Sequence, residues 1–209
     1  MEKQELYHIH KIVGNDSKGK FWKKSKEIIV DDKFKNDMLK RYNDFTTSMK
    51  LDADGEMIDL NIHDYLTAIL FNLNNGINYS KSELKQFINL AYHASYYGNM
   101  FKRETALENY RKDNVSSLPS RLHTVYLTDE KGIDYWVKTL ETSNYNLYRV
   151  EAVGDIFKTN EHLIPDERLS YIDAYESSYN YWHPNFKKVP DYTNEYLVKG
   201  KIKVLEKIK

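Results

Sequence analysis

No cysteine occurs among the 209 residues. That absence excludes disulfide bridges, a thiol nucleophile and a cysteine-ligated zinc site together, and it suits a reducing compartment. No apolar run is long enough to span a bilayer, and Met1 to Leu6 is charged and lacks the apolar centre of a secretion signal, so a cytoplasmic setting with no membrane partner is expected. An excess of one charge is missing as well. Lys plus Arg and Asp plus Glu both number 31, leaving no net field to steer the chain toward phosphate backbones or anionic surfaces, although a local basic groove stays open. There is no Gly-Lys-Ser/Thr phosphate loop, no Gly-x-Gly-x-x-Gly turn, no Gly-x-Ser-x-Gly elbow and no His-Glu-x-x-His helix. The common nucleotide, hydrolase and zincin templates therefore fail, and no internal repeat or low-complexity tract replaces them.

What is present is enough for a folded domain. Hydrophobic residues make up 41% of the chain against 30% charged, which excludes intrinsic disorder, and the length fits one large domain or a core with an insertion. Tyrosine is abundant, at 18 residues. Aromatic rings bury large areas and stack on flat ligands, but codon usage in an AT-rich genome enriches tyrosine by itself, so the number alone assigns no function.

Residues 5 to 13 alternate as a strand does, with Tyr7 and Ile9 on one face and Leu6, His8 and His10 on the other. A second strand is expected around Glu27 to Val30. Phe34, Met38, Tyr42, Phe45 and Met49 then recur every three or four residues, a helical stripe. A helix over Leu60 to Leu73 follows, ended by Asn74-Asn75-Gly76, and Ser80 with Glu83 has capping-box spacing for the next. Residues 34 to 112 thus read as a helical block. Strands are expected at His123 to Thr128, Leu147 to Val153 and Asp155 to Phe157, the last two broken at Gly154. A helix carrying Ile133, Trp136, Val137 and Leu140 lies between the first two. Pro165 is placed as the first residue of a helix through Tyr179, and an extended stretch from Glu195 to about Glu206 closes the chain. The order strand, helices, then mostly strands predicts an α+β domain and not a doubly wound parallel sheet.

His8 and His10 are spaced to present two imidazoles to one metal, yet His63, His93, His123, His162 and His183 offer no spacing that completes a site, so no metal is assigned. The end of the chain is more informative. It reads Tyr192-Thr193-Asn194-Glu195-Tyr196-Leu197-Val198-Lys199. This resembles the last catalytic strand of the poly(ADP-ribose) polymerase and diphtheria-toxin branch of the ADP-ribosyltransferases, in which an Asn-Glu-Tyr-aliphatic-Val run places a catalytic glutamate. Leu6-Tyr7-His8 is similar to that superfamily's opening strand. Val125-Tyr126-Leu127-Thr128-Asp129, running into a helix with Tyr135-Trp136, is similar to the strand carrying its stacking tyrosine. The three pieces occur in the family's order and cover about half the chain. Glu108 to Leu127, with Leu118-Pro119-Ser120-Arg121, also resembles an uncharacterised bacterial family associated with the same fold.

The resemblance implies a single domain over 1–209 with a split mixed β-sheet and a helical insertion at about 34–112. It implies NAD as substrate, with Glu195 stabilising positive charge at the ribose and holding its 2'-hydroxyl, Tyr126 stacking on nicotinamide with help from Tyr135, and His8 fixing the adenine-side ribose. Ile9 stands where many relatives have glycine; its backbone would pair with the nicotinamide amide, while the side chain limits close approach. Arg121 is a candidate for the NAD phosphates, with a structural ion pair as its alternative. The implied activity is transfer of ADP-ribose to a macromolecular acceptor, protein, DNA or RNA, by a bacterial or phage toxin or defence factor, with an antitoxin or inhibitor as a further partner. Taken singly, Glu195, Tyr126 and His8 also read as a strand residue, a core aromatic and a satisfied histidine. The alternatives are accordingly a catalytically inactive module of the same fold that binds a partner protein or nucleotide ligand, and a metal-dependent enzyme using His8 and His10. The aromatic segment Tyr179 to Pro184 is read as packing around a turn.

Overall fold

Leu6 sits inward between the half-exposed Gln4 and His8, and this alternation gives the first strand, β1, over Glu2–Lys11. The computed structural model describes residues 2–12, 22–34, 36, 42, 48–53, 56–140 and 143–209, with residues 48–60 described by their backbone pairing. The chain divides into two units: Met1–Asn36 with Ala106–Lys209, and Asp37–Thr105.

In the first unit, β1 pairs with β6 (Tyr145–Asn160), β6 with β7 (Asn194–Lys207), and β7's other edge is shared by β2 (Glu27–Val30) and β5 (Val125–Leu127). β5 in turn reaches β1: Tyr7 and Thr128 exchange backbone hydrogen bonds of 2.8 and 2.9 Å. The pairings β1–β6–β7–β5–β1 therefore form a closed ring. Leu6, Trp22, Val30, Val125, Leu127, Tyr148, Val150, Ala152, Tyr196, Val198, Ile202 and Val204 pack together on one face of it. On the other face Leu197 packs with Leu107, Tyr181 and Trp182, joined by Tyr126 and Phe157. Two faces follow from the strand period of two, since neighbours such as Tyr126 and Leu127 must point opposite ways.

Every pairing between these strands is antiparallel. The parallel component implied by a mixed sheet is not found among the described residues, because the segment between β6 and β7 returns the chain against its own direction. The break expected at Gly154 is absent too. β6 runs straight through it, and Gly154 (φ +148°) lies opposite Gly200 (φ +151°). A Cβ on Gly154 would meet Lys199 O at 2.3 Å, so the glycine marks close backbone approach and not the end of a strand.

Among the described residues two α-helices belong wholly to this unit, a short one over Ile133–Thr139 and another over Tyr171–Trp182. The latter does not start at Pro165. Ser170 is its cap, its side chain accepting from Asp173 N at 3.1 Å, and Pro165 precedes the Asp166–Leu169 turn that leads to it.

In the second unit, a hairpin of β3 (Ser48–Ala53) and β4 (Glu56–Asn61) leads into α1 (Ile62–Asn74). Asn61 caps α1 by accepting from His63 N and Asp64 N. The block at 37–105 is thus not purely helical, and Met49, expected on a helix, lies in β3. Of the helical stripe expected from Phe34 onward, Met38 and Phe45 fall outside the described residues. The Ser80–Glu83 capping box is formed, with Ser80 N donating to Glu83 at 2.7 Å and Glu83 N to Ser80 Oγ at 3.2 Å. It opens α2, Lys81–Asn114, whose residues from Ala106 on belong to the first unit. The two helices of the first unit named above are α3 (Ile133–Thr139) and α4 (Tyr171–Trp182).

Candidate functional site

The start of β7 is held by buried amides and hydroxyls. Asn160 Nδ2 donates to Asn194 Oδ1 at 2.9 Å, Thr193 Oγ1 donates to Asn160 Oδ1 at 2.9 Å, and Asn194 O accepts from Trp136 Nε1 at 3.0 Å. With Asn194 fixed, the next residue must turn to the opposite face, and Glu195 points at α4 and Arg121. Its Oε1 lies 2.5 Å from Arg121 Nη1 and accepts from the Tyr181 hydroxyl at 2.5 Å; Arg121 Nη1 also donates to that hydroxyl. The guanidinium lies over two rings, 5.1 Å from the centroid of Tyr126 and 4.8 Å from that of Tyr181. Tyr126 closes the cluster by donating its hydroxyl to Arg121 O at 3.0 Å.

This cluster is nearly dry. Arg121 is 4% exposed, Glu195 3% and Tyr181 0%, whereas Tyr126 is half-buried. Burial, ahead of the nearby Glu195 charge, pushes the Tyr181 phenol well above its usual range, so it stays protonated and donates to the carboxylate. An isolated charge at this depth would be costly, and each of Arg121 and Glu195 is tolerable because the other is there.

Of the residues expected at the site, Glu195, Tyr126 and Arg121 come together on one face. His8 does not join them. It stacks on Trp22 (centroids 3.7 Å apart, planes 12° apart), and Trp22 stacks on Tyr148, both in the cluster on the other face. The expected convergence of imidazole, phenol and carboxylate on one pocket is corrected accordingly. The reason is the strand period: Leu6 and His8 share a face, and the Tyr7–Thr128 bridge puts that face with Leu127, opposite Tyr126. His8 meets Tyr126 only through the backbone, its Nδ1 lying 3.3 Å from Tyr126 O. Ile9 pairs with Leu147 across β1 and β6. Tyr135 packs against Trp136 and Tyr192 and donates its hydroxyl to Glu161, and burial together with Glu161 pushes its phenol up to about 12. The rings of His8 and His10 are 6.0 Å apart, and among the described residues no three His, Asp or Glu side chains are grouped to hold a metal ion.

Tyr181 is the site residue that the sequence reading did not select. Its signal was the helical spacing of Ala174, Ser178, Tyr181 and Trp182, which are the buried residues of α4.

The setting of His8 has a measurable consequence. Burial, opposed by the contact with Tyr126 O, lowers its pKa from 6.5 to about 3. The unfolded chain therefore takes up a proton first as pH falls, and stability present above pH 6.5 is lost progressively toward pH 3. His8 is only partly buried, so the expected loss is discounted to about 2 kcal/mol. Urea midpoints from pH 7 to 4 should fall more steeply for the wild type than for His8→Phe; parallel curves would show that His8 charges freely in the folded protein.

A family model described as a protein of unknown function (DUF2441) matches residues 6–209. No curated protein matches the chain.

Proposed function

From the premise that the chain belongs to the DUF2441 family, and from the cluster around Glu195, we propose an ADP-ribosyltransferase-like domain that uses NAD as substrate. The observation carrying this reading is that Glu195, Tyr126 and Arg121, from separate stretches of sequence, meet on one sheet face with Tyr126 as the more accessible member. In the reaction the bond between ribose C1' and the nicotinamide nitrogen breaks, its electron pair leaving with nicotinamide. The acceptor's nucleophile bonds to C1' and gives up its proton. A carboxylate beside the ribose stabilises the oxocarbenium-like charge in between. Glu195 Oε1 is held by Arg121 and Tyr181, and Oε2, which makes neither contact, is the oxygen assigned to the ribose hydroxyl. Tyr126 supplies the stacking surface. His8, facing away, is reassigned from ribose contact to orienting the β5 backbone through Tyr126 O. A macromolecular acceptor and a bacterial or phage toxin or defence setting go with this reading.

One observation favours a second reading. Glu195 is 3% exposed and already paired with a cation, as in a non-catalytic module of the same fold that binds a partner protein or nucleotide. Nicotinamide release from labelled NAD separates the two. The wild type should release it, and Glu195→Gln should be slower by about 100- to 1000-fold, the scale of losing one preorganised electrostatic group. Equal silence from both proteins at millimolar NAD would remove the enzymatic reading and leave the binding module.

A further inference from the structure

A second buried network lies on α2 and the turn that leads to Arg121. Glu108 is 4% exposed and accepts from both edges of Arg111, Nη2 at 2.8 Å on Oε1 and Nε at 3.1 Å on Oε2. Arg111 Nη1 then donates to Ser116 O at 2.8 Å and Leu118 O at 2.9 Å, taking two carbonyls of the turn between α2 and Arg121. The remaining link is Ser120, whose hydroxyl donates to Glu108 Oε2 at 2.9 Å while its Oγ accepts from Leu122 N at 3.1 Å. Ser120 thereby caps the short helical turn Arg121–His123. Pro119, between the two sets of bonds, is buried.

A bidentate ion pair at this depth is an expensive way to shape a turn, because apolar packing of similar volume is commonly as stable. What the ion pair supplies is direction: three charge-assisted bonds, from Arg111 to Ser116 O and Leu118 O and from Ser120 to Glu108, tie down the backbone immediately before Arg121, whose guanidinium lies over Tyr126 and Tyr181 and meets Glu195. We propose that Glu108, through Arg111 and Ser120, is a positioning residue for Arg121 and hence for the Glu195 carboxylate. The catalytic consequence rests on the NAD reading above; the positioning itself does not.

The test is a double-mutant cycle between Arg121→Met and Glu195→Gln, read by urea unfolding, in the wild type and again in Ser120→Ala and Glu108→Gln. Positioning predicts that the Arg121–Glu195 coupling falls to about half or less in both backgrounds. Coupling that is unchanged while overall stability drops would make the network a structural clamp only and overturn the proposal. Ser120→Ala removes a single hydroxyl and keeps the question decidable should Glu108→Gln fail to fold. Nicotinamide release run in parallel on Ser120→Ala should show kcat lowered about tenfold with KM little changed, the pattern of a lost transition-state contact. A wild type that releases no nicotinamide while the coupling still collapses would reject the NAD reading and keep the positioning.

Discussion

Glu195→Ala should destabilise the protein by about 3–5 kcal/mol, the cost of leaving one member of a buried ion pair without its partner. The value is large because water cannot compensate. Arg121 is 4% exposed, and its Nη1 partners are Glu195 and the Tyr181 hydroxyl. Removing the carboxylate takes away the charged acceptor at Nη1 and leaves that nitrogen facing the Tyr181 phenol, beneath the rings of Tyr126 and Tyr181. Arg121→Met should cost a similar amount for the mirror-image reason, since Glu195 would keep only the Tyr181 hydroxyl. The double variant Arg121→Met with Glu195→Leu removes both charges and keeps the volume filled. It should lie well above the sum of the single losses, and could approach wild-type stability. Urea unfolding of the four proteins decides the matter. Additive single losses would mean that the pair is hydrated in solution. The contrast also separates roles, because a double variant that folds well but releases no nicotinamide assigns the pair to chemistry and not to folding.

Gly154→Ala and Gly200→Ala should each cost about 3 kcal/mol or more, combining a strained backbone with a direct clash. The two glycines face each other across β6 and β7, both at φ near +150°. A methyl group on Gly154 would lie 2.3 Å from Lys199 O and 2.8 Å from Gly200 Cα; one on Gly200 would lie 2.2 Å from Val153 O and 2.8 Å from Gly154 Cα. The obstruction in each case is backbone in the middle of the longest pairing of the sheet, so no side-chain rotation relieves it. Thermal or urea unfolding checks this, and a loss below about 1 kcal/mol would mean that the strands separate locally at little cost. Gly154 was read from sequence as a strand end. A single sequence shows that glycine is present but not what approaches it, and its partner Gly200 is 46 positions away.

That difference between local and distant information runs through the molecule. β1, β2, α1, the capping box of α2 and the long final strand were legible because each rests on a period or cap written within a dozen residues. The hairpin of β3 and β4 was missed although Asp54-Gly55 between alternating residues is a hairpin signal; the apolar spacing from Phe34 to Met49 fitted a helix as well, and the helical period was preferred. Helix α4 was placed too early because Pro165 can open a helix, whereas Ser170 does. At the site, Glu195 and Tyr126 were found by motif, but which face each side chain takes depends on pairing. The bridge between Tyr7 and Thr128 decides that His8 turns away from Tyr126, and nothing near His8 in the sequence encodes it. Arg121 was read as a phosphate contact or a structural ion pair, and the structure gives it an ion pair with Glu195. Tyr181 fell in the aromatic segment read as packing around a turn, and Glu108 opened the stretch likened to an uncharacterised bacterial family without being given a role.

The ring of strands is uneven. β6 and β7 are zipped from Tyr148 to Asn160 on one strand and from Asn194 to Lys207 on the other, whereas the backbone join between β5 and β1 is the pair of Tyr7–Thr128 hydrogen bonds, with His8 Nδ1 beside Tyr126 O. A barrel-like wall with one such thin seam parts there first, and Tyr126 sits on the short strand beside it. Parting at that seam leaves the β6–β7 wall that carries Glu195 intact, with β5 still paired to β7 through Val125, Tyr126 and Leu127.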